Sequence, residues 1–377
     1  MRLPRKAIAL MLALLVTAGA FGVMMAATEP TPPPQTSNMV QLTGGQVDHI
    51  QPAYSPNGKY VAFSSDVAGS YRIWVVRQDG RKLSVVTSLP GDEVAPKWDP
   101  NGETIAFLWN HGQYSDLCLT SMVNDSSECV TGGSHVRDYS WSPGGLLLAY
   151  DAGNGTIRLR NMTSGFDTVF PFDGYARDPT FGTNSNTLYF SAVTDQGDFI
   201  WNATIGGNNV KQLSWEGSDI EPSVSPSGNY LMYLTNLSGR YEPWIVNLAT
   251  GINIYLLNRP DLGLSYAFPR PPLLAGGTIP SWGPSGNNVL YISNDNGSSG
   301  TLYLVTLDVT VDLSQVFAFP MSMVLGLNVY NEVPLGAFVS DAQWSPTGNV
   351  VVETSISGFQ QLVVLENGPP VHVGYGG

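Results

Sequence analysis

The sequence predicts an all-β fold: a seven-bladed β-propeller of four-stranded antiparallel blades, preceded by one N-terminal transmembrane or signal helix. Three observations carry this. The stretch QPAYSPNGKYVAF at residues 51–63 returns at 95–107, 138–150, 178–190, 221–233, 279–291 and 341–353. Its turn prolines stand at 56, 100, 143, 226, 284 and 346, with Thr183 in the fourth place, so the spacings are 44, 43, 40, 43, 58 and 62. A period near 43 is that of a four-stranded propeller blade. With the two long intervals reduced to that period, seven blades use residues 39–377.

The N-terminal segment comes first in the chain. Arg2, Arg5 and Lys6 precede residues 7–27, a run of 21 without a charge. As a helix it spans about 31 Å, enough for a bilayer core. Basic residues before it place the N-terminus in the cytoplasm and the propeller outside. Three fates fit residues 1–27: a retained signal anchor, a secretory signal cut after small residues such as Ala18, Gly19 and Ala20, or a third read from a resemblance. Lys6-Ala7 before an apolar helix resembles the class III signal of archaeal type IV pilin-like proteins, which implies an archaeal source and a helix kept after cleavage. Residues 28–38, rich in proline, read as an extended extracellular linker.

Each repeat then reads as two strands around a tight turn. In Ser55-Pro56-Asn57-Gly58 serine opens the turn, proline presets φ and glycine takes the left-handed position. Two large side chains frame it. Two residues before the proline stand Tyr54, Trp98, Trp141, Phe181, Val224, Trp282 and Trp344. Seven after it stand Phe63, Phe107, Tyr150, Phe190, Tyr233, Tyr291 and Glu353. Such side chains fill the space between neighbouring sheets.

This repeat is similar to that of the TolB-like, or PD40, class of β-propellers, over essentially all of residues 40–377. The glycine-histidine and tryptophan-aspartate dipeptides of WD40 repeats are missing from their places, since Trp98-Asp99 falls in a turn. The resemblance implies the fold and leaves function open, because such repeats occur in binding scaffolds and in non-catalytic domains of hydrolases.

In blade two, Cys118 and Cys129 lie equidistant from the turn near Val123 and Asn124. Opposed positions of an antiparallel hairpin come within bridging range, so a disulfide is expected, contributing about 2–3 kcal/mol in the loop-closure model. Six sequons agree with export: Asn124, Asn154, Asn161, Asn202, Asn236 and Asn296. Ring closure requires a strand from each end of the chain. MVQLT at 39–43 stands before the first repeat as VKQLS at 210–214 stands before the fifth, so it is expected as the outer strand of blade seven. Residues 371–373 compete for that place.

Function is sought where the period breaks. Residues 258–277 and 312–340 are read as lying between a fourth strand and the next first strand, on the face opposite the Ser-Pro-x-Gly turns. Both are apolar, with Tyr266 and Phe268 in one and Phe317, Phe319, Met321 and Tyr330 in the other. They either fold down over the blades or form a contact surface for a protein partner or the membrane. On the same face, five residues before the turn proline, Asp138, Asp178, Glu221 and Asp341 suggest an acidic channel mouth; turn chemistry is the competing account. A structural cation or a basic peptide on the axis is the alternative that mouth allows. No other cofactor is expected. His49 and His135 occupy similar places and could share the mouth.

Lys and Arg number 17 against 30 Asp and Glu, a net charge of −13, which argues against a nucleic-acid partner. No Gly-x-Ser-x-Gly elbow, His-Glu-x-x-His, phosphate loop or Cys-x-x-Cys occurs. The expectation is an exported, membrane-tethered, glycosylated and non-catalytic interaction module at the cell surface. One alternative is a channel-mouth enzyme acting on extracellular glycans or peptides through His135, Arg137, Asp138, Arg177 and Asp178. Another is a pilin-like filament or surface-layer component.

Overall fold

The computed structural model describes residues 39–237, 241–251, 253–255, 281–286, 288–293, 301–307, 327–330 and 339–366. The chain divides into two units, Met1–Gln35 and Thr36–Gly377, and the described residues all belong to the second. The expected N-terminal helix and linker (1–38), Asn296, residues 371–373 and the apolar residues Tyr266, Phe268, Phe317, Phe319 and Met321 lie outside them. Among the described residues no helix is long and apolar enough to cross a membrane.

Those residues form seven four-stranded antiparallel sheets, six of them with their strands in chain order. Sheet one is His49–Tyr54, Tyr60–Ser65, Arg72–Arg77 and Ser84–Val85. Sheet two is Asp92–Trp98, Thr104–His111, Tyr114–Ser121 and Ser127–Cys129, and sheet three Tyr139–Trp141, Leu147–Asp151, Ile157–Asn161 and Asp167–Val169. Sheet four is Tyr175–Phe181, Thr187–Thr194, Gly197–Thr204 and Lys211–Gln212, and sheet five Asp219–Val224, Tyr230–Thr235, Glu242–Asn247 and Asn253–Tyr255. Sheet six is Ser281–Trp282, Asn288–Ser293, Thr301–Leu307 and Leu327–Tyr330. Sheet seven joins Val339–Trp344, Val350–Ile356 and Phe359–Leu365 to Met39–Gln41.

Each sheet packs on the next. Ala62 meets Ile105 and Phe107; Leu108 meets Tyr139 and Leu148; Ala149 meets Phe181 and Phe190. Ile200 meets Leu231 and Tyr233, and the Tyr230 ring lies 6.4 Å from that of Trp282. Leu290 meets Val339 and Val352, and Val351 meets Val61 and Phe63, which returns to sheet one. The result is a ring of sheets, the architecture of a β-propeller. Three of the four tryptophans two before the turn proline do more than fill space. Trp98 Nε1 donates to Ala53 O at 3.0 Å, Trp141 to Lys97 O at 3.2 Å and Trp282 to Ser223 O at 3.1 Å. Each indole thus bonds to the preceding sheet, at the residue just before its own counterpart.

The repeat turns behave as their residues require. Gly58 N–H donates to Ser55 O at 2.8 Å with φ 68°, and Gly228 N–H to Ser225 O at 2.8 Å with φ 73°. Neighbouring turns also touch. A Cβ on Gly58 would lie 3.1 Å from Thr347, one on Gly102 3.4 Å from Pro56 and one on Gly286 2.9 Å from Ser227. Glycine therefore serves both the left-handed backbone and the close approach of the adjacent turn.

The likeness of MVQLT and VKQLS has a physical basis. Gln41 Nε2 donates to Thr43 O and Gln212 Nε2 to Ser214 O, both at 2.7 Å. The hydroxyls of Thr43 and Ser214 each accept a third-strand amide, from Leu362 and Ile200, at 2.9 Å. Met39–Gln41 pairs antiparallel with Phe359–Leu365 and is the outer strand of sheet seven, as expected. Cys118 and Cys129 are directly opposed in sheet two and form the disulfide.

Two readings are corrected. Leu327–Tyr330 is the fourth strand of sheet six, with Leu307 opposite Leu327 and Leu304 opposite Tyr330. Residues 308–326 therefore leave and rejoin sheet six between its third and fourth strands, at the end that carries the Gly283–Gly286 turn, since Asn288 pairs with Thr306. The interval 312–340 is not one loop opposite the turns, and Tyr330 is a strand residue. The other interval, 258–277, lies outside the described residues; Asn253–Tyr255 before it is a fourth strand and Ser281–Trp282 after it a first strand. Second, the turn of sheet seven is one residue shorter: Ser345 N–H donates to Asn349 O, where Ser55 N–H donates to Tyr60 O. Val352 therefore holds the place of Phe63, and Glu353 that of Ser64 and Asp151.

Candidate functional site

Two of the four acidic residues proposed for a channel mouth, Asp178 and Glu221, share a structural origin. Five repeats have a proline after the residue five before the turn position, and four of these places are among the described residues: Gln51-Pro52, Ala95-Pro96, Asp178-Pro179 and Glu221-Pro222. Proline brings no N–H to the ladder and crowds its predecessor. At each place the register slips in a β-bulge, and the preceding residue is left-handed, with φ of 56°, 54°, 50° and 57°. The bulge frees an amide to bond across the ring. Gln51 N–H donates to Glu353 Oε2 and Ala95 N–H to Gln51 Oε1, each at 2.8 Å. Sheets seven, one and two are thereby stitched side chain to backbone.

Asp178, Glu221 and Asp341 are buried and do not line an open mouth. Asp178 Oδ2 stands 3.7 Å from Arg177 Nε, and Arg177 Nη2 bonds Asp198 Oδ2 at 2.6 Å. Asp341 accepts the Ala342 amide at 2.7 Å and pairs across the ladder with Glu353. Burial, then the charge of Glu353, pushes Asp341 well above the usual carboxylate range. Asp138 is half-buried and bonds Lys97 Nζ at 2.7 Å; that ammonium also donates to Tyr139 O and sits 4.7 Å from the Tyr139 ring centre. Among the described residues no group of three or more His, Cys, Asp or Glu is placed to hold a metal ion.

The two histidines also part company. His49 is buried edge-on against Phe63, 5.5 Å between ring centres, and burial lowers its pKa. His135 is exposed and lies 5.5 Å from the Tyr114 ring. It belongs to a row of rings on the face away from the Ser-Pro-x-Gly turns. Trp109 stacks on His111 at 3.7 Å, and His111 lies 5.8 Å from Tyr114. Beyond His135 the exposed Arg137 reaches the Tyr175 hydroxyl at 3.3 Å.

Sequence reasoning missed the anchor of this row. Asp116, buried, accepts from His111 Nε2 (2.8 Å), Thr131 Oγ1 (2.7 Å), Gly133 N (2.8 Å) and Ser134 N (2.9 Å). Burial favours its neutral form, but these donors outweigh that and hold its pKa below the usual value. The only linear signal was a carboxylate between two hairpin histidines. Asp151 was missed too. It is buried at the sheet three–four junction, with Oδ1 accepting Gly153 N at 2.7 Å and Oδ2 without a partner. Burial pushes its pKa up to about 6, with Asp178 and Asp138 adding to the rise and Arg137 opposing it.

No family model matches the chain. A protein TolB homolog of Chlorobaculum tepidum is 27% identical over 217 residues, 54% of this chain and 44% of that protein. The Tol-Pal system protein TolB of Francisella tularensis subsp. mediasiatica is 21% identical over 223 residues, 56% of this chain and 51% of the relative. The chain thus spans about half or less of these curated relatives' length. Among solved structures, an oligogalacturonate lyase from Vibrio parahaemolyticus matches with a TM-score of 0.62 at 12% identity, covering 88% of this chain and 97% of the lyase, a likeness of fold alone. Repeat pattern, ring of sheets and sequence matches together relate this chain, distantly, to the TolB-like β-propellers of the PD40 repeat type.

Proposed function

We propose that this chain is an exported β-propeller, tethered to the membrane by its N-terminal segment, that binds a protein partner at the cell surface without catalysing a reaction. One observation carries the reading. Away from the turns, the carboxylates that suggested a mouth are buried in the sheets or paired, whereas Tyr114, His135, Arg137 and Tyr175 are exposed. Aromatic rings and arginine on a rigid frame suit recognition. The partner site is therefore assigned to sheets two to four on this face, and residues 256–280 depart from the same face one sheet further round. The TolB relationship agrees with a binding role and does not fix it.

The test compares full-length protein extracted in detergent with a Tyr114→Ala, His135→Ala double variant. Chemical cross-linking on native membranes is expected to give one stoichiometric partner, lost in the variant while its Tm stays unchanged. Retention of the partner by the variant would move the site elsewhere.

A channel-mouth enzyme remains the second reading, favoured by the free Oδ2 of Asp151 beside Asp178 and Arg137. It expects turnover of an extracellular glycan or peptide that Asp151→Asn abolishes. Turnover by the wild type would displace the non-catalytic reading.

A further inference from the structure

Among the described residues the three most exposed large apolar side chains are Phe166 (75%), Val123 (74%) and Leu146 (61%). All three stand at the turn end of two adjacent sheets. Val123 lies in the hairpin after Tyr114–Ser121, where Met122 N–H donates to Glu103 O at 2.8 Å. Leu146 and Phe166 border the hairpin after Ile157–Asn161: Met162 N–H donates to Leu146 O and Asn161 N–H to Phe166 O, each at 2.9 Å.

A sequon asparagine stands beside each apolar site. Asn124 follows Val123, and Asn161 is bonded to Phe166. Both are exposed. Asn124 Oδ1 accepts from Ser126 N and Oγ at 3.3 and 2.6 Å, and Asn161 Oδ1 from Thr163 N and Ser164 N at 3.0 and 2.9 Å. Holding Oδ1 in the turn directs Nδ2, the atom that carries a glycan, away from it. Asn154, exposed in the hairpin at the other end of sheet three, has its Oδ1 held in the same way by Thr156 N and Oγ1 at 3.2 and 2.6 Å and is a further acceptor, with none of these three apolar side chains beside it. Two other sequons are placed differently. Asn202 pairs with Tyr189 on one side and Lys211 on the other, and its side chain bonds the Tyr189 hydroxyl. Asn236 Oδ1 holds the Ser218 amide at 2.7 Å.

We propose that the turn face of sheets two and three is a glycan-bearing face: Asn124 and Asn161 are glycosylated, and their sugars lie over Val123, Leu146 and Phe166. In the transfer, Asn Nδ2 loses a proton and bonds to the anomeric carbon of a lipid-phosphate-linked oligosaccharide. The bond from that carbon to the phosphate oxygen breaks, and the lipid phosphate leaves with the electron pair. The C–H faces of sugar rings pack on exposed aromatic and aliphatic groups that a surface otherwise leaves in water. The glycans at Asn124 and Asn161 then shield the turn face of these two sheets. This rests on the export reading.

The test is glycopeptide mapping of the protein purified from its own cells. Glycan at Asn124 and Asn161 with Asn202 and Asn236 bare is the expected result. Glycan at Asn202 or Asn236 with Asn124 and Asn161 bare overturns the face assignment and leaves the glycoprotein reading standing; bare asparagines throughout overturn both. An Asn124→Gln, Asn161→Gln variant from the same cells is expected to raise hydrophobic-dye fluorescence by about twofold or more. No rise, with Tm unchanged, would overturn the proposal that sugars cover these side chains.

Discussion

Glu353 closes the ring through a single carboxylate. Its Oε2 takes the Gln51 amide and its Oε1 the Ser340 hydroxyl, at 2.8 and 2.6 Å. Asp341 stands directly across the ladder; Asp48 and Tyr71 are the other titratable groups that feel its charge. Burial, resisted by the Ser340 and Gln51 bonds, pushes its pKa from 4.5 to about 7. The folded protein therefore keeps a proton that the unfolded chain gives up. The linked stability is fully present below pH 4.5 and is lost as pH rises through about 7. At about 1.4 kcal/mol per pKa unit it amounts to about 3 kcal/mol. Asp151 and Asp219, both raised to about 6 by burial, act in the same sense. The Tm of the wild type should rise as pH is lowered from about 8 to about 5. Glu353→Gln keeps an acceptor for Gln51 and should flatten that slope; an unchanged slope would show that Glu353 does not set it.

At the scale of the element, the repeat turn joins a local conformation to a contact between sheets. Gly286 and Gly348 both have left-handed φ, 73° and 90°, but a Cβ on Gly286 would lie 3.1 Å from Ser227 N, and one on Gly348 would meet nothing within 4 Å. Gly348→Ala should cost about 1 kcal/mol, the left-handed penalty alone. Gly286→Ala should cost about 1–2 kcal/mol more, since neighbouring backbone has to shift. Urea denaturation of the pair measures the difference, and equal costs would mean that the turns do not press on each other. Elements were legible in the sequence wherever a local pattern specifies them: the Pro-x-Gly turn, the Leu-Thr and Leu-Ser ends of the fourth strands, and the opposed cysteines. Leu327–Tyr330 was not, because its pairing with Thr301–Leu307 spans an apolar interval with no turn signal to mark it. The place of Glu353 was misread because counting from the proline cannot register a turn one residue short. His111 and Asp116 escaped because the Thr131 and Ser134 groups that fix the carboxylate come from the far side of the hairpin.

On the scale of the whole molecule, stability depends on a circuit of sheet-to-sheet bonds with a single join between chain ends. Thr43 and Leu42 bond to Leu362, and Thr43 Oγ1 to Gln361. Removing residues 39–43 deletes the outer strand of sheet seven and bares an edge. Such a truncation should lose the single cooperative melt and associate at micromolar concentration, measured by calorimetry and light scattering; a monomer with the full-length Tm would show that the fourth strand is dispensable. The join also has a consequence in time. Val40 meets Val364, so a chain threaded N-terminus first brings out one half of its last pairing at the start and the other half near the end. Until then the early strand waits without its mate while the intervening sheets emerge, and contacts between such distant residues form slowly. A cell that makes this chain must therefore guard an open arc until Phe359–Leu365 arrives to take up Met39–Gln41.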